Sequence, residues 1–155
     1  MFVDYSIRLL SAASCTEEIQ GKSRNIVYLF GTTKEGESIA VRTPLMMPYF
    51  QVVEPPKDIL ESLEKRDDVE KLESQDLWVD GDVKECTKVT VSHPGKVPKI
   101  REWLKNNDLK LLAADIPFHH RYLYDNDIGG CVRVRGKEII KEKWSCKVIE
   151  VVEIL

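Results

Sequence analysis

At 155 residues, 43% hydrophobic and 32% charged, the chain suits one ordinary domain or two small lobes around an apolar core, and its apolar runs fall short of a membrane span. A formal net charge of −3 excludes a uniformly basic nucleic-acid binder, and four scattered cysteines without a C-x-x-C pair argue against a zinc site and for reduced thiols. Asp4 stands where a secretory signal would be apolar, so the chain is expected to be cytoplasmic, with no targeting segment and no membrane partner.

Residues 2–12 read as a strand of mixed alternation, and the polar stretch 14–23 (S-C-T-E-E-I-Q-G-K-S) as a loop. Residues 25–31, N-I-V-Y-L-F-G, are rich in β-branched and aromatic side chains and predict a strand. T-T-K-E-G at 32–36 suits a hairpin connection, and 37–43 pairs back. A second pattern begins at Pro44. Residues 48–53 predict a strand that Pro55 and Pro56 stop, and Ile59, Leu60 and Leu63 then mark an amphipathic helix over 57–66. Strands follow at 69–79 and 85–92, with a turn at Asp80-Gly81 between them. Val97, Ile100 and Leu104 share a face of a second helix, and 109–114 reads as a further strand. Pro117 suits a helix start, and Phe118, Arg121 and Tyr122 then share one face. C-V-R-V-R at 131–135 alternates valine with arginine, and 144–155 reads as a long strand whose apolar end is expected to find its partner beyond the last residue.

The expected fold class is α+β. A small antiparallel sheet lobe (1–43 plus 128–155) is followed by a ferredoxin-like, RRM-like βαββαβ unit (44–127), with strands closing the chain. That layout serves RNA-recognition modules and many enzymes alike, so it carries no function by itself. Charge is unevenly spread. Residues 54–85 hold 12 acids against 5 bases, and the remainder 18 bases against 14 acids. A basic face toward phosphates is compatible with that distribution.

The sequence offers no catalytic set. His119 and His120 are adjacent on a helix and point apart, which disfavours a shared metal ion. There is no G-x-S-x-G, no phosphate-binding glycine loop, and no acid evidently paired with Asp115 for two-metal chemistry. Aromatics and prolines instead gather at P-Y-F (48–50), H-P-G-K-V-P (93–98) and I-P-F-H-H-R-Y-L-Y (116–124). If these stretches converge, they would wall an apolar pocket for one flat heterocycle, with an arginine at its mouth.

These residues resemble the N-terminal domain of archaeal-type family B DNA polymerases. The likeness is carried by H-P-G-K-V-P-K-I-R-E and A-D-I-P-F-H-H-R-Y-L-Y-D, by Y-L-F-G-T-T-K-E-G-E-S-I-A-V-R-T with P-Y-F-Q-V, and by V-D-Y at the start. The resemblance implies a non-catalytic domain that binds single-stranded template DNA and captures uracil, the deamination product of cytosine, ahead of synthesis. It implies site residues Tyr5, Pro48, Tyr49, Pro94, Val97, Ile116, Phe118 and Arg121. It further implies exonuclease and polymerase domains as partners in a parent chain, and magnesium as the parent's cofactor, with none for this segment. Neither the D-I-E exonuclease motif nor the palm motifs occur here, so this chain is expected to be a cut N-terminal piece or a stand-alone relative. Two alternatives stay open: a stand-alone single-strand RNA or DNA module, and a small enzyme of unknown type.

Overall fold

The computed structural model describes residues 1–114, 116–141 and 144–155. It divides into two compact units, Met1–Met46 with Pro117–Leu155, and Met47–Ile116.

The first unit is a closed five-stranded barrel in the order β1-β2-β3-β9-β8. β1 (Val3–Ile19) and β2 (Lys22–Thr32) form one long hairpin, joined at Gln20-Gly21 with φ of 53° and 76°. Two positive φ values define the turn whose twist matches paired strands. β3 (Ser38–Arg42) pairs antiparallel with β2 and parallel with β9 (Lys147–Ile154). β8 (Cys131–Ile139) pairs with β9 on one side and with the first residues of β1 on the other, which closes the barrel. With α3 (Phe118–Asp125) lying in sequence between β3 and β8, this is the five-stranded Greek-key order of an OB-fold.

Closure brings strands close at two glycines. A Cβ on Gly31 would drive into the Arg8 carbonyl and come within 2.8 Å of Ile7 Cγ2, and one on Gly136 would meet the Glu150 carbonyl and Ile149 Cγ2. Register shifts lie beside both, between Leu9 and Ser11 and between Arg135 and Gly136. Bulges with glycine at the tight approach are how a twisted sheet bends onto itself. Ile7, Val27, Leu29, Val41, Val134 and Ile149 fill the core, to which α3 adds Phe118 and Tyr122. The opposite face of β2 is covered as well, since Ile26 and Tyr28 are buried with Ala40 and Val148 beneath Cys15, Ile19 and Trp144.

The second unit is a four-stranded antiparallel sheet in the order β5-β6-β4-β7. β4 (Tyr49–Val53) leads into α1 (Lys57–Glu64), whose N-cap is Pro56. β5 (Val69–Val79) and β6 (Asp82–Val91) form a hairpin around Asp80-Gly81, with φ of 52° and 89°. A single 3-10 turn, Pro94–Lys96, leads into α2 (Val97–Asn106). β7 is only Leu111–Leu112, because Ala113 takes φ of 57° and leaves the strand conformation. Ile59, Leu63, Ile100 and Leu104 of the helices bury against Phe50, Val52, Val89 and Val91. At the 25 cal/mol per Å² typical of apolar burial, each such side chain contributes roughly 1.5–3 kcal/mol.

The expected fold class is corrected. Among the described residues the chain is mostly β, 51% strand against 19% helix, and its defining body is the closed barrel rather than a ferredoxin-like, RRM-like βαββαβ unit. Two features hid the barrel. Residues 14–19 continue β1 instead of forming a loop, because Cys15, Glu17 and Ile19 are the half-buried side of that strand and the charge of Glu17 breaks the apolar alternation. The terminal strand, expected to pair beyond the chain, has both neighbours within it, and Val148, Ile149 and Val151 are buried.

Candidate nucleic-acid interface

The sequence-derived site residues fall in both units. In the second, one end of the sheet collects four of them. The Val91 N–H donates to the Pro48 carbonyl at 2.8 Å, so the entry to β4 lies beside the exit from β6. Tyr49 stands opposite Thr90, half-buried, with the Lys88 ammonium 4.2 Å from its ring centroid. That distance is a cation–π contact and holds the ring's orientation. Two residues beyond Val91, His93 Nδ1 accepts from the Gly95 N–H at 3.0 Å and caps the turn carrying Pro94. Val97 opens α2 and packs on the core. Pro48 and Tyr49 thus lie at the end of β4 beside the exit from β6, from which the chain runs on through the turn carrying Pro94 to Val97. Ile116, the last residue of this unit, is exposed, and Asp115 lies outside the described residues.

Tyr5, Phe118 and Arg121 belong to the barrel unit. Tyr5 stands opposite Val134 on β8 and packs, half-buried, against the cluster that holds Phe118. Pro117 is the N-cap of α3, and its carbonyl accepts from the Arg121 N–H at 3.0 Å. Arg121 is 7% exposed. A guanidinium that deep is costly to bury and acts on its surroundings within the fold rather than from a solvated surface. On the same helix, burial pushes the Tyr122 phenol up, opposed by a hydrogen bond with Thr43, whose hydroxyl donates to the Val27 carbonyl at 2.7 Å. Burial, and then the neighbouring His120, hold His119 below the ordinary histidine range.

An OB-fold uses the outer face of its second and third strands for oligonucleotides. Here that face carries a polar and aromatic cluster. The Tyr28 hydroxyl donates to Glu17 at 2.5 Å, Arg42 bridges to the same carboxylate at 3.0 Å, and Lys141 reaches it at 3.4 Å. Phe30 and Trp144 stack at 5.7 Å and 21°, and Trp144 also lies 4.8 Å from the Tyr28 ring. Burial alone would raise Glu17, yet the hydrogen bonds from Tyr28 and Arg42 and the charges of Arg42 and Lys141 hold it below the usual carboxylate range. Burial and the Glu17 carboxylate raise Tyr28. Tyr28 and Ala40 are fully buried, so the chain itself covers the centre of this face. Sequence reasoning missed the cluster; alternate placement of Tyr28 and Phe30 on β2 was its only local signal.

Among the described residues no group of three or more His, Cys, Asp or Glu could hold a metal ion. Among the described residues no helix is long and apolar enough to cross a membrane.

The fold and these surfaces define an OB-type barrel protein with a second, antiparallel unit. No known family profile matches the chain, and no curated protein matches its sequence. Among solved structures, it is similar to the family B DNA polymerase from the hyperthermophilic archaeon Pyrobaculum calidifontis, with a TM-score of 0.74 and 23% identity. The match covers 97% of this chain and 20% of the polymerase chain, so the chain spans about a fifth of that protein's length. At this identity the likeness establishes a shared fold.

Proposed function

We propose that this chain is an N-terminal-type domain of archaeal family B DNA polymerases that binds single-stranded template and senses uracil. The observation that carries the proposal is the fold likeness to a polymerase region along 97% of the chain. The sequence motifs at 93–102 and 114–125 agree with it. On this reading the nucleotidyl-transfer and exonuclease sites, with their magnesium, lie on other domains, and this one reads the strand before it is copied.

The sheet end of the second unit supports base selection. Pro48, Pro94 and Val97 are stiff, and the Tyr49 ring is held by Lys88. Uracil lacks the C5 methyl of thymine, and walls that cannot yield reject that methyl by overpacking, which costs about 1–3 kcal/mol. Cytosine is rejected by polarity. Backbone groups aimed at O4 and N3–H of uracil would be left unpaired against cytosine, at a cost of roughly 1–3 kcal/mol. Tyr5, Ile116, Phe118 and Arg121 enter the site on the resemblance alone. The burial of Arg121 favours a bracing role over reading the base.

The test is a fluorescence titration of the chain with single-stranded oligonucleotides that carry one uracil, thymine or cytosine and are otherwise identical. Uracil is expected to bind about 5- to 150-fold tighter, the equivalent of 1–3 kcal/mol. Equal affinity for all three overturns the sensing reading. Arg121→Ala is expected to weaken uracil binding, and full retention of affinity by that variant removes the bracing role. The OB-type barrel also favours a second reading, a stand-alone single-strand module, for which equal binding of all three oligonucleotides is the expected result.

A further inference from the structure

The outer wall of the barrel carries a cleft of about 630 Å³, within the range of small-ligand sites, and nothing above assigns it a role. Strand register explains how it forms. Arg8 on β1 stands between Cys131 on β8 and Thr32 on β2, in one row across three strands. Arg133 lies two residues beyond Cys131, and Lys34 two residues beyond Thr32. Because side chains alternate along a strand, Arg8 and Arg133 project from the same outer face, and both are exposed. As diagonal neighbours across a strand pair they are spaced at roughly 7–8 Å, which brackets a phosphate. Ser6, Thr32 and Thr33 add hydroxyls to the lining.

The charged side chains that line the cleft are all basic. No Asp or Glu lines it among the described residues. Asp4 reaches Arg133 only at 3.7 Å and is engaged more closely by Arg135, at 2.8 Å. Neither Arg8 nor Lys34 has an ion pair among the described residues. An adjoining hollow of about 210 Å³ shares Ser6, Thr33 and Lys34 with the cleft and adds Asp4 and Glu35. The Leu155 N–H donates to the Arg133 carbonyl at 2.8 Å, which holds Leu155 beside the cleft that it helps to line.

We infer that this cleft binds a nucleotide through its phosphate, with Arg8 at the centre, Arg133 and Lys34 at the sides, and the sugar or base against Leu155. Arginine forks suit phosphate oxygens, and the lysine adds a mobile point charge. A bare anion leaves most of the volume empty, which favours a ligand with an organic portion. That nucleotide is either free or one unit of a single strand. The inference stands on the barrel alone and does not require the uracil reading.

The experiment is calorimetric titration of the whole chain with thymidine 5′-monophosphate, with thymidine, and with a thymine-only oligonucleotide. Thymidine is expected to bind at least tenfold more weakly than the monophosphate or the strand. Comparable affinity for the monophosphate and the strand identifies a free nucleotide; a strand at least tenfold tighter identifies a strand unit. Arg8→Glu is expected to weaken the phosphate-bearing probes at least tenfold, and Lys34→Ala to lower the strand's salt slope by about one. Arg8→Gln, read beside a thermal melt, replaces Arg8→Glu if the charge reversal unfolds the barrel. Absence of binding by both phosphate probes, thymidine binding equal to the monophosphate, or unchanged affinity in folded Arg8 variants overturns the inference. Unchanged affinity in folded Arg8 variants counts against the cleft alone, whereas equal affinity for uracil, thymine and cytosine strands counts against the uracil reading alone.

Discussion

In the barrel unit Asp4 pairs with Arg135 and β3 lies parallel to β9, so residues from opposite ends of the chain close the same sheet. In the second unit every strand pairing falls within residues 49–112, and its longest element is a hairpin around a two-residue turn. The consequences for sequence reading differ in the same way. A hairpin and an amphipathic helix announce themselves through neighbours in the chain. A barrel closed by a parallel pair depends on contacts with no local signature, and loop-closure entropy must be overcome before such contacts stabilise anything.

Perturbations of matched kind sharpen this contrast. The largest expected effect is in the second unit's core, where Phe50 is fully buried between sheet and helices. Phe50→Ala is expected to lower unfolding free energy by about 3–5 kcal/mol in urea titration, since it removes apolar burial and leaves a cavity. A loss below about 1 kcal/mol would mean that the helices do not depend on this contact.

In the barrel the vulnerable point is a glycine. Gly136→Ala places a methyl against the Glu150 carbonyl between β8 and β9. Overpacking of that kind costs about 1–3 kcal/mol, read as a lowered melting temperature. Alanine at the open Gly129, where a Cβ meets nothing within 4 Å, is the control and should leave the melt within about 0.5 kcal/mol of the parent.

The smallest effect concerns Glu17. Its folded pKa is depressed by Tyr28, Arg42 and Lys141 against the opposing push of burial. A depressed carboxylate contributes stability that is complete above its unfolded pKa and is lost as pH falls through the folded value. Glu17→Gln is therefore expected to cost about 1–2 kcal/mol at neutral pH and to flatten the acid limb of the stability curve below roughly pH 4. An acid limb identical to the parent's would show that other carboxylates carry it.

The candidate site is legible in the sequence only where its proposed residues sit near one another in the chain. Pro48-Tyr49 and Pro94 to Val97 stand out as proline and aromatic clusters, and the β4–β6 pairing places them at one sheet end. Phe118 and Tyr122 were readable as one helical face, and the helix packs that face into the barrel core. The burial of Arg121 was not readable, because arginine on an amphipathic helix ordinarily keeps its head in water. Nor was the Glu17 cluster, in which the β1 carboxylate meets Tyr28 from β2, Arg42 from β3 and Lys141 from the segment after β8. The Arg8 row was also hidden, since it exists only in the register of three strands.

By itself the sequence determined the second unit's helices, its Asp80-Gly81 turn, the central strands of the barrel and the motifs that resemble a polymerase domain. All of these rest on periodicity, turn chemistry or contiguous residues, which act over a few positions. Tertiary structure alone decided that β1 runs unbroken through a polar stretch, that the last strand finds its partners inside the chain, and that the sheet closes into a barrel. Those outcomes depend on pairing between distant segments and on the two close approaches at Gly31 and Gly136, where a Cβ would collide with the neighbouring strand.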